Sequence, residues 1–311
     1  MPLFCPSPAL LQVLGLRRVI GRLLCGGLLT TAMLLVTPGC GGGANSDEMS
    51  FEAGVALQEN GKWEEAIAVY NDVLAHDPEH AGALFNRGVA KLERGDAKGA
   101  AADFDALLQI APRDTDALLW RGSAYLAQGD TAKAIKDYDA VLEESILSPD
   151  AFALRAEAHL EAGDLDRALA DADAAARLLP DDPAGYERRA AIFDAMQEPE
   201  AAEVERSLAA VTAQIVADPE DEAARVRRGT AFLVMDEPEL ALIDLDAVAD
   251  ANPENALVRL LRGQCYASLN LPAQAIIDLT AVIDMPDAEP SLISQARMSR
   301  AAVHESRGAH A

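Results

Sequence analysis

The sequence predicts an all-α solenoid of stacked antiparallel helix pairs, and three observations carry that expectation. A pattern of small residues recurs every 34 positions along most of the 311-residue chain. Half of the residues are apolar but only 5% are aromatic, a composition suited to helices that approach one another closely. Gly-Asp and Pro recur at fixed places in the period, where helices stop and start.

The repeats begin at Asp47, Ala81, Thr115 and Pro149, then less regularly at Pro183, Glu222 and Ala256. The expected boundaries are 47–80, 81–114, 115–148, 149–182, 183–221, 222–255 and 256–293, with a capping helix over 294–308. Position 8 of each repeat is small: Gly54, Gly88, Gly122, Ala156, Ala190, Gly229, Gly263 and Ala301. Position 20 is always alanine: Ala66, Ala100, Ala134, Ala168, Ala202, Ala241 and Ala275. Small residues at these two positions let the helices of a pair meet, while larger groups such as Leu84, Phe104, Leu107, Leu118, Tyr138 and Val141 fill the space around the contact.

Gly95-Asp96, Gly129-Asp130 and Gly163-Asp164, at positions 15 and 16, end the first helix and cap the second. Pro78, Pro112, Pro180 and Pro253 at position 32 close the second helix, with Ile146 departing. A pair of this kind cannot bury its faces alone, so copies must stack. Repeat 5 is longer, with Gln197 at the turn glycine and an insertion expected within 207–216 that lengthens or breaks its second helix. Repeat 7 is also longer, with Pro286 and Pro290 in its exit.

A charge pattern runs through the same frame. Position 7 carries Arg87, Arg121, Arg155, Arg189, Arg228 and Arg262, and sixteen residues later stand Asp103, Asp137, Asp171, Glu205, Asp244 and Asp278. Repeat 1 has Ala53 and Val69 instead, so both members are present or both are absent. The pattern predicts structural Arg–carboxylate bridges between the helices of a repeat, open to sharing with the adjoining repeat. A row of carboxylates for a cation is the competing reading, and the arginine opposite each acid argues against it.

The small-residue, aromatic and proline positions resemble those of tetratricopeptide repeats over most of the chain. The resemblance implies a right-handed superhelix of seven helix pairs with a C-terminal capping helix, whose concave face binds peptides or proteins. By the same resemblance, first-helix positions 2, 5, 6, 9 and 12 line the groove. In repeats 1 to 3 these include Phe51, Val55, Phe85, Asn86, Val89, Leu92, Leu119, Trp120, Ser123 and Leu126, an apolar trough with an amide and an indole. The alternative for each is packing between neighbouring repeats. Some family members clamp a C-terminal carboxylate with Lys and Asn across adjacent repeats; only Asn86 fits that clamp.

The first 46 residues contain no Asp or Glu and differ in kind from the rest. Arg17, Arg18 and Arg22 precede an uncharged run over 23–36, then Thr37-Pro38-Gly39-Cys40 and a tri-glycine. Positive flank, short apolar run and small residues at the break are the parts of a secretory signal. The run is short for a membrane span, which needs about 20 residues. The segment resembles a bacterial lipoprotein signal at residues 1–39, in which Cys40 is acylated and 40–46 form a flexible tether. A plain cleaved signal and an uncleaved anchor are the alternatives. Under the lipoprotein reading the protein is exported and lipid-anchored, facing the periplasm, and Gly41 after the cysteine points to the outer membrane. Cys5 and Cys25 leave with the signal, Cys40 is modified, and Cys265 remains as a small buried residue without a disulfide partner.

The formal charge of −25 excludes nucleic acid as a partner, because phosphate binding needs clustered Lys and Arg. Removing residues 1–39 deletes three arginines and no acid, which makes the remainder more acidic still. No catalytic, metal or cofactor site is expected, and no small-molecule substrate. His76 and His80 are separated by Asp77-Pro78, and no nucleophile has a base beside it. The Asp-x-Asp pairs Asp103/Asp105, Asp137/Asp139 and Asp244/Asp246 lack the glycine and terminal glutamate of a calcium loop. The expected function is a membrane-tethered, non-catalytic scaffold that holds a basic or apolar-anchored peptide or protein for envelope assembly. An adaptor inside the cell or on the inner membrane, and an accessory subunit of a secretion or enzyme complex, stay open.

Overall fold

Helix-forming segments of near-constant length, each ended by a residue that leaves the helix, produce a chain of helix pairs. The structure, a computed structural model, describes residues 44–309. Among the described residues there are fifteen α-helices and no strand. They are α1 (Ala44–Glu59), α2 (Trp63–His76), α3 (Ala81–Glu93), α4 (Ala97–Ile110), α5 (Thr115–Ala127), α6 (Thr131–Glu144), α7 (Pro149–Ala162) and α8 (Leu165–Leu178). There follow α9 (Pro183–Ala195), α10 (Pro199–Ala217), α11 (Glu222–Val234), α12 (Pro238–Ala251), α13 (Ala256–Ser268), α14 (Pro272–Asp284) and α15 (Pro290–Ala309). Six first helices, α3 to α13 taken alternately, begin on the residue at which the repeat begins. The expected signal segment over 1–39 and Cys40 lie outside the described residues. The expected tether over 40–46 is shortened from its end, because α1 already includes Ala44.

Each first helix from α3 to α13 is fixed at its start by a side chain that satisfies an otherwise orphaned amide. The carboxylates of Asp114 and Asp221 accept from the amides of Ala117 and Ala224. Ser148 and Asn255 do the same for Ala151 and Val258. His80 serves α3 through Nδ1, which accepts from Ala83, so this histidine is a cap. Between the helices of each pair, position 15 adopts positive φ. It is glycine in repeats 1 to 4 and Gln197, Asp236 and Asn270 in repeats 5 to 7.

The chain forms two compact units, the first ending at Leu178 and the second beginning at Leu179. In the first, Tyr70, Phe104 and Tyr138 at position 24 are fully buried against the position-8 glycine of the same repeat. A Cβ on Gly122 would stand 2.5 Å from Tyr138 Cε1, and one on Gly88 2.8 Å from Phe104 Cζ. In the second unit Leu245 and Leu279 replace the rings, and the corresponding distances at Gly229 and Gly263 are 3.1 and 2.9 Å. Where position 24 is Ala172 or Arg206, position 8 is alanine. The alanine at position 20 is fully buried in all seven repeats. Cys265 is a free, buried thiol in this packing, and burial pushes its pKa up to about 11.

Two departures from the regular plan are visible. The extra residues of repeat 5 lengthen α10 as one continuous helix of 19 residues and do not break it. The last helix starts at Pro290, one turn before the expected 294. Its inward residues are Ala296 and Val303, which occupy positions 3 and 10 in the frame set by Ser294. Ala301, at position 8, is exposed because no second helix follows to cover it among the described residues. Among those residues no helix is long and apolar enough to cross a membrane.

Candidate functional site

An arginine of fixed position on every first helix from α3 to α13 meets an acid on the second helix of its own repeat. Arg121 donates from Nε and Nη2 to the two carboxylate oxygens of Asp137 at 2.8 and 2.6 Å, and from Nη1 to Asp105 at 2.7 Å. Arg155 repeats this with Asp171 at 2.8 and 2.7 Å and Asp139 at 2.6 Å. Arg262 does so with Asp278 and Asp246. Arg87 holds Asp103 in the same fork and turns its third nitrogen to the Asn71 side-chain oxygen at 2.7 Å. Arg189 lies 3.0 Å from Glu205. Arg228 donates to both oxygens of Asp244 at 2.7 and 2.8 Å, and also to Asp181. All six arginines therefore reach the acid sixteen residues on.

The planar guanidinium explains the arrangement. Its two edges point in different directions, so one residue can grip its own repeat bidentately and the preceding repeat with the remaining nitrogen. The hydrogen bonds to Asp137 and Asp105 hold Arg121 above its ordinary pKa against the opposing effect of burial. The second aspartate of each Asp-x-Asp pair has its explanation here, since Asp105, Asp139 and Asp246 accept from the arginine of the next repeat. Among the described residues no group of three or more His, Cys, Asp or Glu side chains could hold a metal ion.

The expected groove residues separate into two sets. Val89, Leu119, Trp120 and Ser123 are buried and act as packing between neighbouring helices. Trp120, expected in the groove, is only 4% exposed and meets Phe85 edge-on at 6.4 Å, which fits the alternative of packing between neighbouring repeats. The Ser123 hydroxyl donates to the Leu119 carbonyl. Phe51, Val55, Phe85, Asn86, Leu92 and Leu126 remain partly exposed. Phe51 stacks obliquely on His80 at 4.9 Å and limits space at Gly82, where a Cβ would lie 3.0 Å from its ring.

A cleft of about 280 Å³ opens between the start of α3 and the start of α5. Phe85, Gly82, Asn86 and Leu107 line it together with Asp114 and Asp116. Phe85 and Leu107 supply an apolar wall, Asn86 an amide, and the two aspartates a negative rim. Burial, then the neighbouring Asp114 and Asp150 charges, push the Asp116 carboxyl above its usual pKa. A cation placed at this rim would relieve that unfavourable field. Sequence reasoning put Phe85 and Asn86 here but did not single out the aspartates as part of a site. Asp116 was legible as a position-2 residue; its closeness to Asp114 and Asp150 needed the helices in place.

A family model for the tetratricopeptide repeat matches residues 51–115, 90–152, 119–183 and 226–290, together more than half of the chain. No curated protein matches the sequence. Among solved structures, a tetratricopeptide repeat protein from Parabacteroides merdae ATCC 43184 covers 82% of this chain and 99% of its own, at 18% identity and TM-score 0.48. MamA from Desulfovibrio magneticus RS-1 covers 56% of this chain and 97% of its own, at 17% identity and TM-score 0.51. A thermophilic repeat protein from Thermus thermophilus covers 60% of this chain and 99% of its own, at 20% identity and TM-score 0.46. Similarity at these identities concerns the fold. With a repeated helix pair closed on small residues and matched by the family model across both compact units, the chain belongs to the tetratricopeptide repeat family.

Proposed function

We propose that this protein is a non-catalytic scaffold that binds a protein partner along the first helices of its first compact unit. The observation that carries the reading is the cleft between α3 and α5, where an apolar wall and an acidic rim stand side by side. Such a site takes an extended or helical segment with an apolar anchor against Phe85 and Leu107, and a Lys or Arg at Asp114 and Asp116. The chain's formal charge of −25 favours approach of a basic segment over an acidic one. Affinity capture with the wild type, Phe85→Ala and Asp116→Lys tests it, with thermal melts alongside to confirm folding. Both variants should lose most of the captured partner; equal capture by all three would move the site elsewhere.

We further propose that Cys40 carries a lipid that tethers the scaffold to a bacterial membrane on its periplasmic side, the outer membrane being favoured, where it serves envelope assembly. This rests on the basic flank, the apolar run over 23–36 and Gly39-Cys40. Metabolic fatty-acid labelling of wild type and Cys40→Ala decides it. Labelling that persists in the variant would remove the lipid claim and favour an adaptor without this anchor.

A further inference from the structure

The second helices of the second compact unit carry an exposed apolar row at one fixed place in the repeat. Position 22 faces solvent in all seven repeats. In the first unit it holds Ala68, Ala102, Lys136 and Ala170. In the second it holds Val204, Ile243 and Ile277, which are 47%, 48% and 66% exposed. A β-branched residue on the open side of a helix gives up side-chain freedom and some helix propensity. Here it gains little burial in return, whereas the alanine of the first unit carries neither cost. Because the position is the same in each repeat, the three side chains share one face of α10, α12 and α14.

The charges these helices carry beside the row are of one sign. Neither α12 nor α14 contains a Lys or Arg. Asp244 and Asp278 are turned inward to Arg228 and Arg262, and Asp246 is also held by Arg262. The acids left in water on the two helices are Glu239, Asp250 and Asp284. Glu239 stands one turn before Ile243, and Glu200 one turn before Val204. On α10 the single base, Arg206, is held by Asp194 and Glu203.

We propose that this row docks a basic amphipathic helix of another protein, at a surface distinct from the cleft of the first unit. The occupant sets leucine or aromatic groups against Val204, Ile243 and Ile277. Lys or Arg on the flanks of that stripe meet Glu239, Asp250 and Asp284. Charge complementarity selects this occupant over the others. A second copy would bring the same acids against themselves, and an anionic lipid surface would repel them in the same way.

The probe is a fluorescent helical peptide of leucine and lysine, about five turns long, with every leucine on one face. Its binding to the full chain is followed by anisotropy and by the methyl resonances of the isoleucines. Saturable binding is expected, with Ile243 and Ile277 shifted while Ile110 and Ile146, exposed in the first unit, stay in place. A peptide with glutamate for lysine should not bind. Ile243→Ala/Ile277→Ala copies the alanine of the first unit and should weaken binding about tenfold or more, with the thermal melt unchanged. Absence of binding at millimolar peptide, equal affinity for the double variant, or shifts spread evenly over all four isoleucines would overturn the proposal. Self-association that the double variant loses would assign the row to a second copy instead. Binding to phosphatidylglycerol vesicles that it loses would assign the row to lipid, and either result overturns the proposal too.

Discussion

The two compact units build the same helix pair with different local chemistry. In the first, a buried tyrosine or phenylalanine presses on glycine in repeats 1 to 3, the turn between helices is glycine throughout, and Asp96, Asp130 and Asp164 stand before the second helix in repeats 2 to 4. In the second, Leu245 and Leu279 replace the ring, the turn residue is Gln197, Asp236 or Asn270, and Pro199, Pro238 or Pro272 opens the second helix. Proline at the first helical position supplies the correct φ in advance and removes an amide that would have no partner. The second unit thus pairs a turn of positive φ without glycine with a proline start in place of a capping aspartate. What every repeat of both units keeps is the buried alanine at position 20, and repeats 2 to 7 also keep the Arg–acid pair that repeat 1 lacks.

The largest effect should appear in that pairing, at Arg228–Asp244, which is fully buried whereas the other pairs of both units keep a part-exposed arginine. Arg228 and Asp244 are 1% and 0% exposed, against 18% and 5% for Arg87 and Asp103. Removing Asp244 leaves Arg228 its single contact to the exposed Asp181, and the deeper site offers no water to replace the two bonds lost. Asp244→Ala should cost about 3–5 kcal/mol, and Asp103→Ala about 1.5–3 kcal/mol because water reaches Arg87. Urea unfolding of the two variants measures both. The double change Arg228→Met/Asp244→Leu should recover most of the loss, because the deeply buried pair is replaced as a whole and only the more exposed Arg225 and Asp181 lose a partner. Equal costs in both units would mean that exposure does not control the strength of the pairing.

Sequence alone carried the fold a long way here because a repeat displays each contact several times. The alanine at position 20 and the six Arg–acid spacings were legible for that reason, and six first helices begin on the residue the period indicates. The third arginine nitrogen was not assigned, although Asp105, Asp139 and Asp246 were noted as Asp-x-Asp pairs. Their partner belongs to the following repeat, and which edge of a planar guanidinium faces it depends on how the repeats stack. Trp120 misled because its position predicts a direction but not a depth. Asn86 occupies the same position one repeat earlier and stays partly exposed, whereas the larger indole is drawn in against Phe85. The early start of α15 was hidden by Pro290, which reads as a stop after a helix and equally as a first residue within one.

The next effect separates the units by shape. A Cβ at residue 122 would stand 2.5 Å from a buried tyrosine ring, whereas at residue 229 it would stand 3.1 Å from a leucine that has other rotamers. Gly122→Ala should destabilise the first unit by about 1–3 kcal/mol through overpacking. Gly229→Ala should be close to neutral, since replacing a mid-helix glycine returns about 0.5–1 kcal/mol. Thermal melts of the two variants test this directly. Adding Tyr138→Ala to Gly122→Ala reproduces the Ala156 and Ala172 pairing of repeat 4, and the clash component should then vanish even though the lost ring carries its own cost.

The smallest effect concerns the turn and would sharpen the idea that proline offsets it. Gln197, Asp236 and Asn270 hold φ between 55° and 64°, a region that disfavours side chains with a Cβ. Replacing each by glycine removes that strain but adds freedom to the unfolded chain, so the net gain should be about 0.5 kcal/mol or less for Asp236 and Asn270. Gln197→Gly should gain the most, up to about 1 kcal/mol, because glutamine lacks the short side chain that lets Asn and Asp settle in this conformation. If the following proline is what makes the poor turn tolerable, Pro199→Ala should cost more beside Gln197 than beside a glycine introduced there. A double-mutant cycle at 197 and 199, read by chemical unfolding, measures that coupling. A coupling of zero would show that turn and helix start contribute independently, and that the second unit simply carries the strain.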